Sequence, residues 1–108
     1  MATTYKVLGQ LEPQSTSGTL YTVPAATSTI VSTINAVNKG ASAGTISIAI
    51  RPGGATLSDE HYIVYELSLS AKTTFTYTGG ITLAATDVVT VVSSNNDISF
   101  NAFGSEIA

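Results

Sequence analysis

The chain has 108 residues, no cysteine, one histidine and a formal net charge of −3. That length bounds it to one domain with enough interior to fold without covalent staples, and the missing cysteine excludes disulfides and thiolate metal sites. Only 11 residues are charged while Thr and Ser supply 30, and the four cations, Lys6, Lys39, Arg51 and Lys72, are scattered. They make no basic field of the kind that displaces counterions from nucleic acid.

No apolar run approaches the roughly 18 residues that a membrane span requires. The start, Met1-Ala2-Thr3-Thr4, lacks the basic and apolar regions of a secretory signal. Neither nucleic acid nor membrane is therefore expected among the partners. A small monomer usually carries about 25–35% charged residues on its surface, whereas charge makes up 10% of this chain. A surface of Thr, Ser, Asn, Gly and Ala suits close packing against other copies or a larger assembly. It suits a neutral extracellular-type β domain equally well.

In chain order, period-two alternation predicts eight strands, near residues 5–10, 18–23, 28–38, 44–51, 61–69, 73–78, 87–93 and 97–104. The polar stretch from Glu12 to Gly18 breaks the pattern. It divides the chain into an N-terminal arm or first strand, residues 1–12, able to pair with a neighbouring subunit, and a β-sandwich domain, residues 13–108. Between Ile30 and Val37 the apolar residues change parity, which predicts a β-bulge near Ser32 or Ala36. Ile46, Ile48 and Ile50 then share one face, and Pro52-Gly53-Gly54 ends that strand.

His61, Ile63, Tyr65, Leu67 and Leu69 form the next one-sided set, opposite Tyr62, Val64, Glu66 and Ser68. Phe75 and Tyr77 alternate with threonines, and Gly79-Gly80 turns the chain. Val88-Val89-Thr90-Val91-Val92 is apolar on both faces, as befits a central strand covered on both sides or lying at a subunit interface. Asn95-Asn96-Asp97 predicts a tight hairpin into the last strand. There Ile98, Phe100 and Ala102 alternate with Ser99, Asn101 and Phe103. Residues 25–28 and 83–86 are too short for helices. The spacing implies an all-β fold: a single-domain antiparallel β-sandwich, jelly-roll-like, of about eight strands.

Chemistry-bearing residues are few. His61 adjoins Asp59 and Glu60, but neighbours on a strand point to opposite faces, so the three read as a strand start after a solvated turn. No Gly-x-Ser-x-Gly elbow accompanies the histidine. There is no His-x-His pair and no calcium loop, and Pro52-Gly53-Gly54 lacks the Lys-Ser/Thr of a phosphate loop. The expectation is a non-enzymatic protein with no catalytic residue, cofactor or metal. Tyr21, Tyr62, Tyr65 and Tyr77 raise a lectin-like reading, since sugars stack on exposed rings. The absence of tryptophan and the inward parity of Tyr65 and Tyr77 favour packing.

Several strings carry a family resemblance. They are Leu20-Tyr21-Thr22-Val23-Pro24-Ala25, then Ser28 to Ile34, Ile48-Ala49-Ile50-Arg51-Pro52-Gly53-Gly54-Ala55-Thr56-Leu57 and His61-Tyr62-Ile63. Gly80 to Val91 and Phe103-Gly104-Ser105-Glu106-Ile107 complete the pattern. Over residues 5–107 the chain resembles small virion structural proteins of tailed bacteriophages, notably phages of cyanobacteria.

The resemblance implies a β-sandwich displayed in many copies on a particle. Its place is a capsid decoration (cement) protein on the outer shell, often trimeric near local three-fold axes, or a tail, neck, baseplate or fibre-adaptor component. A single domain of low charge with a free arm favours decoration, with the major capsid protein or another virion protein as partner and a homotrimer as the assembly. The interface residues expected on this reading are Tyr5, Val7 and Leu8 of the arm, Val89 and Val91 of the doubly apolar strand, and Phe103.

Overall fold

The computed structural model describes residues 2–108. Nine strands are formed: β1 (Thr3–Leu11), β2 (Ser17–Thr22), β3 (Ser28–Asn38), β4 (Gly44–Arg51), β5 (Tyr62–Leu69), β6 (Thr74–Tyr77), β7 (Ile81–Leu83), β8 (Val88–Ser93) and β9 (Ile98–Ile107). Short 3-10 turns occupy Pro52–Gly54 and Asp59–His61. The eight expected strands are all present. The ninth, β7, has three residues, too few for alternation to reveal.

The strands form two antiparallel sheets, one in the order β1-β9-β3-β6 with β7 also paired to β3, the other in the order β2-β8-β4-β5. Every connection between consecutive strands crosses from sheet to sheet except β4–β5 and β6–β7. The chain is thus an all-β sandwich. The expected hairpin at Asn95-Asn96-Asp97 is instead a corner between sheets. β8 already pairs with β2 and β4 on its two sides, so β9 must pair elsewhere, between β1 and β3.

The core lies where the inward rows of both sheets meet. Ile34 and Ala36 of β3, Ile46 and Ile48 of β4, Val89 and Val91 of β8, and Ile98, Phe100 and Ala102 of β9 are fully enclosed. Phe75 and Tyr77 of β6 pack against this cluster from the edge. Alternating β-branched and aromatic side chains suit such pleated, one-sided layers.

The expected parity change in β3 is a bulge at Ser32, between Val31↔Gly104 and Thr33↔Phe103. Gly104 lies beside it because a Cβ there would sit 2.0 Å from the Ile30 carbonyl oxygen. Of residues 1–12, expected as an arm or first strand, residues 3–11 run along β9 of the same chain from Thr3↔Ile107 to Leu11↔Phe100, and Met1 lies outside the described residues. Gly9 brings this edge strand against the other sheet, since a Cβ there would overlap the Leu20 carbonyl. An ion pair between Lys39 and Glu12 holds the segment just beyond β1.

Loops are fixed by side chains reaching backbone. Asn38 is buried without contact to solvent, donates from Nδ2 to the carbonyls of Ser42 (2.9 Å) and Leu69 (3.1 Å), and accepts from the Gly40 amide (3.0 Å). Asp87 accepts from the amides of Gly53 and Ala84, both at 2.8 Å. Arg51 donates to the carbonyls of Ala55 and Gly54 and to the Thr90 hydroxyl. The last bond covers Thr90 on the outward side of β8, where Val88 and Thr90 are buried and Val92 is half-buried, and the strand is central, between β2 and β4.

One parity expectation fails. β5 does not alternate throughout, because its register against β4 runs Ile46↔Leu67, Ile48↔Val64 and Ala49↔Tyr62. Two extra residues in β5 break the period. Val64 packs on the core, while Tyr65 is turned outward and is 63% exposed. Glu66, at the first irregularity, has φ +47°, and the Ser47 hydroxyl oxygen accepts its amide at 2.9 Å.

Candidate interaction surface

The interface candidates divide into two groups. Val89 and Val91 are wholly buried between the sheets and Leu8 retains 9% exposure at the core's edge. These three cannot present surface to a partner while the fold is intact, so their assignment as interface residues is corrected. Their apolar character serves the interior, because both side chains lie on the side of β8 that packs into the core.

Tyr5, Val7 and Phe103 are brought together on the outer face of the β1-β9-β3 sheet. Tyr5 is 83% and Val7 48% exposed, and Phe103 is half-buried. Cross-strand register explains the grouping. Ser105 pairs with Tyr5 on one side and Ile30 on the other, and Phe103 pairs with Val7 and Thr33. Directly opposed residues share a face, so two rows cross three strands: Tyr5, Ser105, Ile30 and Val7, Phe103, Thr33.

The small Ser105 between larger neighbours leaves a shallow groove of about 480 Å³ with Tyr5, Ile30 and Phe103 among its lining residues. A second hollow of about 470 Å³ continues past Ile30 to Thr82, Leu83 and Ile107. Ile30, itself exposed, was not singled out from sequence. The available signal was the parity change around Ser32, which turns Ile30 outward while Val31 and Ile34 face in.

The groove is flanked by a polar network that ties the sheets together. Lys6 Nζ lies 3.2 Å from Glu106 Oε1. On the inner side, the Tyr21 hydroxyl of β2 donates to Glu106 Oε2 and lies 2.8 Å from Thr29 Oγ1 of β3. Burial, reinforced by the neighbouring carboxylate, pushes the Tyr21 phenol up to about 12. The same hydroxyl, aided by Lys6, holds the Glu106 carboxyl below the usual range, against the opposing effect of burial.

His61 lies in the Asp59–His61 turn, not in a strand, and its Nδ1 accepts the Ser58 amide at 3.1 Å. The sequence expectation that its acidic neighbours point away is corrected for Glu60, whose Oε2 comes within 3.9 Å of His61 Nε2. A 3-10 turn does not alternate as a strand does. Glu60 is held below the usual carboxyl range, first by its own amide and then by the Ser58 hydroxyl. The ring and carboxylate thus cap a turn. Among the described residues no cluster of three or more His, Cys, Asp or Glu is placed to hold a metal ion, and no helix is long and apolar enough to cross a membrane.

No protein-family model matches the chain, and a search of curated proteins returns no similar sequence.

Proposed function

We propose that this protein is a non-enzymatic structural component of a phage virion, a capsid decoration protein that docks through the outer face of its β1-β9-β3 sheet and stabilises the shell. The observation carrying this reading is the exposed apolar row structure of Tyr5, Val7, Phe103 and Ile30. Its support is the resemblance of residues 5–107 to small virion proteins and the sparse surface charge.

The energetics suggest why many copies would act together. A patch on the order of 400 Å² buried at about 25 cal/mol per Å² contributes roughly 10 kcal/mol gross. Association costs roughly 4–15 kcal/mol, so one patch is near break-even. A homotrimer straddling neighbouring shell subunits turns later contacts into intramolecular ones. The partner on this reading is the major capsid protein, and the location is the outer capsid surface.

Electron microscopy of the particle tests the reading. Density for this chain on the shell, with the β1-β9-β3 face against capsid subunits, is the expected result. Density confined to the tail, neck or baseplate would move the protein there, and absence from infectious particles would overturn the proposal. Light scattering tests the trimer: a monomeric mass at all concentrations removes it.

A further inference from the structure

A second aromatic feature stands on the outer face of the other sheet. There the middle of β4 offers the small side chains Ser47 and Ala49, both buried. The irregular register of β5 sets Tyr62 opposite Ala49 and turns Tyr65 out beside it. The two rings meet edge to face, with centroids 4.8 Å apart and planes at 70°. The Asp59–His61 turn adds Asp59, and the three residues line a cavity of about 330 Å³.

We propose that Asp59, Tyr62 and Tyr65 form a binding site for a neutral pyranose sugar. A pyranose has an apolar C–H face and a rim of hydroxyls. The exposed Tyr65 ring offers a face for the first. The Asp59 carboxylate, an acceptor with no donor of its own, suits the second. A concave site with apolar walls and a few polar groups is the usual form of a small-ligand pocket.

Packing does not account for this arrangement. Tyr65 is 63% exposed on an edge strand, so the core does not require the ring. The bulge that turns it out places Glu66, a non-glycine residue, at φ +47°, and such conformations cost free energy and gather at functional sites.

The geometry also selects among ligands. Asp59 puts a carboxylate in the lining, which disfavours acidic sugars by like-charge repulsion. An extended proline-rich peptide requires a long aromatic-lined groove, whereas this lining is confined to three residues.

The proposal goes beyond the virion role and is tested separately from it. The intact chain is applied to an array of neutral oligosaccharides, and binding of galactose, glucose and mannose is followed by saturation-transfer NMR. Saturable binding is expected, weakened at least about tenfold in Tyr65→Ser and reduced in Asp59→Ala. Circular dichroism and particle occupancy should not change. Lack of binding to every neutral sugar, equal binding by both variants and the parent, or preference for a trimethylammonium compound or a proline-rich peptide would overturn it.

Discussion

The hydroxyl of Tyr21 in β2 donates a 2.5 Å hydrogen bond to Glu106 in β9, joining the two sheets at the end of the sandwich beside the docking groove. Burial of the phenol and this bond together make stability depend on pH at both extremes. Glu106 is held below its ordinary value of 4.5, so its contribution is present above that value and is lost as pH falls through the lower folded one. Tyr21 is raised from 10.0 to about 12. Its contribution is present below 10 and is lost as pH rises through about 12. Thermal unfolding across pH is expected to show both losses. Tyr21→Phe should cost about 1–2 kcal/mol at neutral pH and flatten both limbs; an unchanged profile would contradict the cross-sheet role.

The outer groove and the core should respond oppositely to substitution. Val7→Asp is expected to change stability by no more than about 0.5 kcal/mol, since the side chain is on an exposed strand, yet to abolish shell occupancy on purified particles. Val91→Ala should act the other way, costing about 2 kcal/mol in denaturant unfolding through lost burial and a cavity. Occupancy per folded molecule should be unaffected. Loss of occupancy in neither variant would place the docking surface elsewhere.

The β5 bulge offers a measurable backbone effect. Glu66→Gly relieves a left-handed conformation worth roughly 1–2 kcal/mol but adds roughly 0.5–1 kcal/mol of unfolded-state entropy. Equilibrium unfolding should therefore show a change between neutral and a small stabilisation. Ser47→Ala removes the acceptor for the Glu66 amide and should cost about 1 kcal/mol.

Asn38 is the polar group most dependent on its partners. Its amide answers two carbonyls and one N–H from a site closed to water. Asn38→Leu keeps a similar volume and strands all three groups, for an expected cost of about 3 kcal/mol or more. Hydrogen exchange should reveal early opening of the 39–43 loop.

The inward and outward rows of β3, β4, β6, β8 and β9 were legible in the residues because a half-buried strand must alternate, and a fully covered one must be apolar on both sides. The bulge at Ser32 was legible for the same reason, as a break in parity. The chemical poverty of the chain, eleven charges and no thiol, was equally plain. Other features depend on which strands lie side by side. The Asn95–Asp97 corner carries hairpin residues, but the neighbours of β8 had already been taken. The bulges of β5 leave no trace in a run that looks one-sided, so the outward turn of Tyr65 and its contact with Tyr62 emerge only against β4. Val89 and Val91 read the same in a core as in an interface, since both exclude water. Pairing and sheet order settle which applies, because hydrogen bonds between distant segments are satisfied all at once and not strand by strand.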